Sequence, residues 1–259
     1  TLERIPSRPP EFVVREATAE DIPAMAALQA SEQDGFELRM PHSSACWRWL
    51  VERSGSLQWV AELDGVVLGS ARLLPPGEGH AIGELAASES GAALALVAET
   101  AFDGTEGLVV QARPQGVSGS ALVPYLGEVV EAEWFYARIG DPAALIEHVA
   151  PVLVQRLKDV GLADREHEVL LSTWRSHLRF TVGPGGVTGM TAGGPEQAPV
   201  SKGGSGLPAD AVPALIFGPY GALGLEERLP DCHLGRQREL MAALFPPVTS
   251  DLLTFYLPI

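Results

Sequence analysis

One dipeptide limits the folds open to this 259-residue chain more than any other: Asp64-Gly65, inside LQWVAELDGVVLGSARLL. Asp-Gly between two apolar runs signals antiparallel strands joined by a two-residue turn, because both turn positions require positive φ. The hairpin therefore places a sheet in the first half. Around it, FVVR reads as a strand and ATAEDIPAMAALQASEQ as a helix, with Thr18 as its cap and Glu20 and Asp21 in its first turn. SSACWRWLVERSG reads as a second helix stopped by Gly55. After the hairpin come a strand in HAIGELA, a helix in ESGAALALVAETAF, a strand in GLVVQA, a short helix in VSGSALVPYLG and a strand in EVVEAEWFYARIG. A hairpin followed by a βαβ crossover gives a mixed sheet with helices on both faces, in the α/β (α+β) class.

Asp141-Pro142 opens a long helix, DPAALIEHVAPVLVQRLKDVG, and the first domain is expected over residues 1–140. The remainder, 141–259, reads as a small α+β domain. HEVLLSTW, HLRFTVG and GVTGMTA are strand-like, a Gly/Pro/Ser-rich loop follows, ADAVPALIFG and GRQRELMAALFP are helical, and LLTFYLPI closes the chain. Hydrophobic residues make up 46% of the sequence, enough for a substantial core.

Charge narrows the partners. With 18 basic and 33 acidic residues the net charge is −15, which repels nucleic acid and anionic membrane surfaces and favours encounter with a cationic small molecule. Two cysteines make no disulfide framework. No window reaches the ~18 apolar residues of a membrane span, and TLERIPSRPPEF has no secretory apolar stretch. A cytoplasmic protein is the expectation; oligomeric state is left open, a homo-oligomer included.

Several motifs fall short of the chemistry they suggest. GVSGS at 116–120 departs from the G-x-S-x-G nucleophile elbow at Ser120. His42-x-x-x-Cys46 and Cys232-His233 lack the further ligands a metal site needs, so no metal is expected. The glycines from Gly183 to Gly206 lack the Gly-Lys-Ser/Thr ending of a phosphate loop, since Lys202 precedes Gly203. In the second half Phe180, Ile216, Phe217, Leu240, Leu244 and Phe245 either line a cavity for a hydrophobic ligand or make the domain core.

VVREATAEDIPAMAALQ and WVAELDGVVLGSARL resemble the opening strand and helix (R-x-A-x-x-x-D) and the central hairpin of the GCN5-related N-acetyltransferase (GNAT) fold. LPADAVPALIFGPYGALGLEERLPDCHLGRQRELMAALFP resembles the sterol carrier protein type 2-like domain that follows GNAT domains in enhanced-intracellular-survival-type acetyltransferases. The resemblance implies acetyl-CoA as co-substrate and an amine, or a hydrophobic ligand, as small-molecule partner.

It also implies a coenzyme loop where the strand in HAIGELA meets the next helix, at Ala86, Ala87, Ser88, Ser90, Gly91, Ala92 and Ala93. Free amides and a helix N-terminus favour a pyrophosphate there. The family's arginine is absent from this loop, and Glu89 stands in it. A like-charge pair at ~4 Å and a dielectric near 20 costs about 4 kcal/mol. Either Ser88 or Ser90 caps the helix and the amides take the anion, or the stretch is a plain helix start on a scaffold that has lost transfer chemistry.

For catalysis the resemblance implies Tyr125 as acid, Glu84 as base on the strand that splays from its neighbour (His80 starts that strand), and the terminal carboxylate on Ile259 as a further base. The competing readings are a tyrosine packed at a helix end and solvated strand positions.

Overall fold

The computed structural model describes residues 1–53, 57–73, 81–101, 108–111, 113, 115–127, 137–197 and 204–252. The chain divides into two compact units, Thr1–Phe135 with Asp251–Ile259, and Tyr136–Ser250. His80, Gly55, Lys202, Ile259 and most of the expected strand in EVVEAEWFYARIG lie outside the described residues.

The first unit runs β1 (Val13–Glu16), α1 (Ile22–Glu32), β2 (Leu38–Arg39), α2 (Ser44–Glu52), β3 (Leu57–Leu63), β4 (Val66–Leu73), β5 (Ala81–Ala87), α3 (Ser90–Thr100), β6 (Val109–Val110) and α4 (Val117–Leu122). Its five-stranded sheet has the order β1-β3-β4-β5-β6, antiparallel except for the parallel pair β5–β6. The β3–β4 turn is the one the dipeptide demands: Asp64 and Gly65 have φ of 51° and 78°. A helix face of Ala92, Ala93, Leu96 and Val97 packs with Ala71, Ile82 and Leu85 of the sheet in one core. A smaller cluster gathers Met25, Trp47, Leu50 and Val60.

The R-x-A-x-x-x-D pattern has a physical cause. Arg15 grips Asp21 through both ends of its fork, Nη1 to Oδ2 and Nη2 to Oδ1, each at 2.8 Å, and also bonds Glu62 on β3. Asp21 in turn accepts the Thr18 N–H at 2.7 Å, closing the entry to α1. The Arg15 hydrogen bonds, against the opposing effect of burial, hold the Asp21 carboxyl at about 2, below its usual 3.8. A depressed carboxylate stabilises the fold above its unfolded value and loses that contribution as pH falls through the folded one. An Asp21→Asn variant is therefore expected to lose about 1–2 kcal/mol at neutral pH, discounted for the half-open Arg15. Urea titrations should show the gap to the parent narrowing below pH 3.8 and closing near pH 2.

The second unit comprises α5 (Pro142–His148), α6 (Ala150–Asp159), β7 (His167–Ser172), β8 (His177–Gly183), β9 (Gly186–Gly193), β10 (Ser205–Gly206), α7 (Val212–Phe217), α8 (Gly221–Arg228) and α9 (Arg238–Leu244). The last short strand, β11 (Ser250–Asp251), leads back to the first unit at Asp251. The expected continuous helix over 141–161 is broken at Val149, which has left helical geometry. Pro151 explains it: with no N–H and a ring that clashes one turn back, proline starts helices and ends them. The sheet order is β10-β7-β8-β9, with β7, β8 and β9 antiparallel neighbours.

Phe180, Ile216, Leu244 and Phe245 are buried in the core of the second unit, with Phe217 and Leu240 packed against it. Among the described residues no helix is long and apolar enough to cross a membrane.

Candidate functional site

The site begins with a strand that outruns its neighbour. β5 pairs along its length with β4, from Leu73↔Ile82 to Gly69↔Ala87, but with β6 only at Ala81↔Val109 and Ile82↔Val110. Past Ile82, among the described residues, the β6-facing edge of β5 has no strand beside it. Such an edge offers carbonyls and amides in the spacing an extended, amide-bearing molecule can use.

This edge is occupied by the protein's own side chains. Arg113 Nη1 donates to the Leu85 carbonyl at 2.8 Å, and Ser118 Oγ donates to the same oxygen at 3.3 Å. The Ala87 N–H donates to Glu32 Oε1 at 3.3 Å, and the Ser118 N–H, at the start of α4, donates to that oxygen at 2.8 Å. Asp251 completes the set, its Oδ2 accepting from Arg113 Nε at 3.0 Å and Gln33 Nε2 at 2.6 Å. Glu32, Gln33, Arg113, Ser118 and Asp251 are all buried.

Glu84 sits one residue from Leu85, in a second network. Arg72 Nε donates to its Oε1 at 2.8 Å, and Arg72 Nη2 lies 2.8 Å from the same oxygen. His42 Nε2 meets Oε2 at 2.9 Å, and the imidazole lies edge-on to Trp47, centroids 4.6 Å apart. Burial pushes the Glu84 carboxyl up, but the His42 hydrogen bond and the Arg72 charge outweigh it and hold the group below its ordinary value. A carboxylate so held is a weak proton acceptor. Burial, and then the Glu84 charge, raise the Cys46 thiol, so its nucleophilic form is disfavoured.

Between the networks lies a cavity of about 10 Å³, lined among others by Gln29, Gln58, Ser70, Arg72, Glu84 and Arg113. That is space for one water molecule.

The helix start differs from the expected cap. The chain stays extended through Glu89 (φ −135°, ψ 140°), which is the N-cap residue and makes no side-chain capping bond. Neither Ser88 nor Ser90 caps α3: Ser88 turns its N–H and Oγ to the Leu68 carbonyl, at 2.9 and 3.3 Å, and Ser90 is the first helical residue. The amides of Ala92 and Ala93 donate to the Glu89 carbonyl. Ala86 and Ala87 are buried in the sheet, and Ala92 and Ala93 in the core. At Gly91 a side chain would collide with Phe12, whose ring stands 2.6 Å from the position of a Cβ. The helix start is thus flanked by the Phe12 ring at Gly91 and by the acidic N-cap Glu89.

Tyr125 packs against the core cluster that contains Leu85, Ala87, Ala92 and Ala93. It ends a short 3-10 turn, its ring 5.3 Å from the Arg4 guanidinium, its carbonyl accepting the Glu3 N–H at 2.9 Å. Among the described residues no hydrogen bond joins it to Glu84 or to the β5 edge. Of the expected site residues, Glu84 lies on β5 next to the Ala86–Ala93 stretch, and Tyr125 packs on the core cluster beneath that stretch while its polar contacts go to Arg4 and Glu3. Arg72, Glu32, Arg113 and Asp251, which shape this region, carry no motif in the sequence, and His42 stands out there only in the incomplete His42-x-x-x-Cys46 pair. Among the described residues no group of three or more His, Cys, Asp or Glu side chains is placed to hold a metal ion.

The chain matches no family model and no curated protein. Solved structures do resemble it. A GCN5-related N-acetyltransferase from Anabaena variabilis ATCC 29413 superposes with a TM-score of 0.50 at 10% identity, over 95% of this chain and 64% of that one. A GCN5-related N-acetyltransferase from Kribbella flavida gives 0.48 at 15% identity, over 94% of this chain and 60% of the other. A ribosomal-protein-alanine N-acetyltransferase from Brucella melitensis biovar Abortus 2308 gives 0.36 at 17% identity, over 50% and 99%. The Anabaena superposition shows the fold: a mixed α/β architecture of the GNAT type. The chain spans less than two thirds of the length of the Anabaena and Kribbella proteins.

The cleft formed by the described residues does not fit coenzyme A, the co-substrate that the family resemblance implies. The β5 edge is hydrogen-bonded from within, the cavity beside Glu84 has room for about one water molecule, and Glu89 stands at the helix start with the Phe12 ring against Gly91.

Proposed function

We propose that this chain serves acetyl transfer from acetyl-CoA to an amine as a scaffold of the GNAT type, and that its own GNAT-like unit does not hold the coenzyme. The observation that carries this reading is the filled edge of β5, where Arg113, Ser118 and Glu32 take the groups a coenzyme arm would use. The coenzyme site then belongs to a partner domain or subunit, and the acidic surface helps gather a cationic, amine-bearing acceptor by raising encounter rate. We assign the second unit to the sterol-carrier-like role of enhanced-intracellular-survival-type acetyltransferases. Three antiparallel strands backed by helices, and the Gly235-Arg236 turn before α9, support that assignment. A cytoplasmic setting, with a small-molecule amine rather than nucleic acid or membrane as partner, belongs to the same proposal.

Titration calorimetry with acetyl-CoA tests it. The chain alone should give no saturable heat up to millimolar coenzyme, and no acetylation of polyamine acceptors. A dissociation constant in the micromolar range, lost on Gly91→Trp and accompanied by transfer, would overturn the scaffold reading. Glu84 and Tyr125 would then return as base and acid.

A further inference from the structure

We infer that Arg113 and Gln33 form a built carboxylate-binding site, and that its resident ligand is Asp251, delivered in cis from the far end of the chain. The Arg113 guanidinium and the Gln33 backbone are each anchored by bonds that do not involve the ligand. Arg113 is anchored by Nη1 on the Leu85 carbonyl at 2.8 Å, which leaves Nε to face the carboxylate. Gln33 ends α1, its N–H donating to the Gln29 carbonyl at 3.0 Å and its own carbonyl accepting from Phe36 at 3.0 Å. The two come from stretches 80 residues apart and meet on one oxygen, Asp251 Oδ2, at 3.0 and 2.6 Å. Arg113 is 4% exposed, Gln33 1% and Asp251 6%.

A guanidinium this deep requires an anion, since an unpaired buried charge is among the most destabilising changes a fold can suffer. The other buried carboxylates nearby are engaged: Glu84 is shared by Arg72 and His42, and Glu32 Oε1 accepts from the Ala87 and Ser118 amides. The anion comes from far along the chain: Asp251 lies 138 residues from Arg113 and 218 from Gln33. The carboxylate therefore ties the last described stretch of the chain to the splayed edge of β5, through Arg113. With Asp251 shortened, the site retains its donors and accepts a small free carboxylate such as formate or acetate.

The site is independent of the acetyl-transfer reading, which stands or falls on coenzyme titration, whereas this one is read by melting. In the full chain, Asp251→Ala should lower the melting temperature of the first unit by about 10 °C. Formate or acetate, against chloride at equal ionic strength, should restore at least half of that drop in a saturable way. The parent should not respond, and Arg113→Met/Asp251→Ala should show no carboxylate-specific rescue. If Asp251→Ala does not fold, Asp251→Asn, which keeps the oxygen and loses the charge, is the readout: a lower melting temperature supports the site. An Asp251→Ala or Asp251→Asn protein melting with the parent overturns it. Equal rescue by chloride, or rescue that survives loss of Arg113, overturns it as well.

Discussion

An Arg72→Met variant is expected to melt roughly 10–15 °C below the parent, with its pH dependence reversed in sign. The reason is the position of Glu84, 7% exposed, with Oε1 held by Arg72 and Oε2 by His42. In the parent, burial would lift the carboxyl, but His42 and Arg72 together hold it below its usual 4.5. A lowered carboxylate contributes stability above the unfolded value and loses it as pH falls through the folded one. Without Arg72 only His42 opposes burial, the largest single cause, so the carboxyl rises; the expected result is that it passes its unfolded value and that acidification towards pH 4.5 stabilises the variant. The cost at neutral pH is roughly 3–5 kcal/mol, the size found when one partner of a buried pair is removed. Replacing both partners, as Arg72→Met/Glu84→Leu, should recover most of the loss, because two apolar side chains need no counter-charge. Urea denaturation between pH 4 and 8 reads all three proteins. A single variant as stable as its parent at pH 7 would show that Glu84 is neutral there, and so available as an acid rather than locked as an anion.

That pair marks where the sequence stops being legible. The Asp64-Gly65 turn dictates the β3–β4 hairpin by backbone sterics alone, and Arg15, Thr18 and Asp21 organise the entry to α1 within seven residues. Glu84 can be placed on a strand from its flanks. Its partner cannot be chosen without the register that sets Arg72 opposite Glu84, and that register slips between Arg72 and Leu73. The filled cleft is less legible still. Glu32 reaches amides 55 and 86 residues away, and a side chain bonded to backbone leaves no pattern, since backbone donors are the same at every position. The Ser-x-x-Gly stretch at 88–91 suggests a serine cap, yet an extended Glu89 moves the cap one residue on and turns Ser88 to Leu68. In the long helix the interrupting signal, Pro151, was present, but apolar periodicity on both sides of it reads as one continuous stripe. The greasy positions of the second unit form a core by contacts that a helical or strand period alone cannot distinguish from a cavity wall.

In the second unit the largest single effect is expected from Gly221→Ala. Gly221 has φ of +59°, which an L-residue adopts at a cost of roughly 1–2 kcal/mol. Strain is the smaller part. A Cβ there would stand 2.5 Å from Pro247 N, 2.6 Å from Pro246 C and 2.8 Å from the Phe245 carbonyl oxygen. These are backbone atoms and cannot rotate aside. The contact is tight because the start of α8 is bonded to the same stretch, Ala222 N–H to the Phe245 carbonyl at 2.8 Å, while Val248 N–H donates to Gly218 at 3.0 Å. Relief of the clash must push α8 away from residues 245–247, breaking that bond and loosening Phe245, which is 1% exposed between Met241, Leu244 and the sheet. Unseating a buried phenylalanine costs about 3–5 kcal/mol by itself, so the total approaches the whole stability of an ordinary domain. Hydrogen exchange should therefore show Gly221→Ala losing amide protection along β7 and β8. Gly185→Ala provides the control: nothing lies within 4 Å of its Cβ position, so exchange should match the parent. Equal protection in the two variants would mean that α8 does not rest on the Phe245–Pro247 backbone, and that the small residues of GPYGALG serve the turn alone.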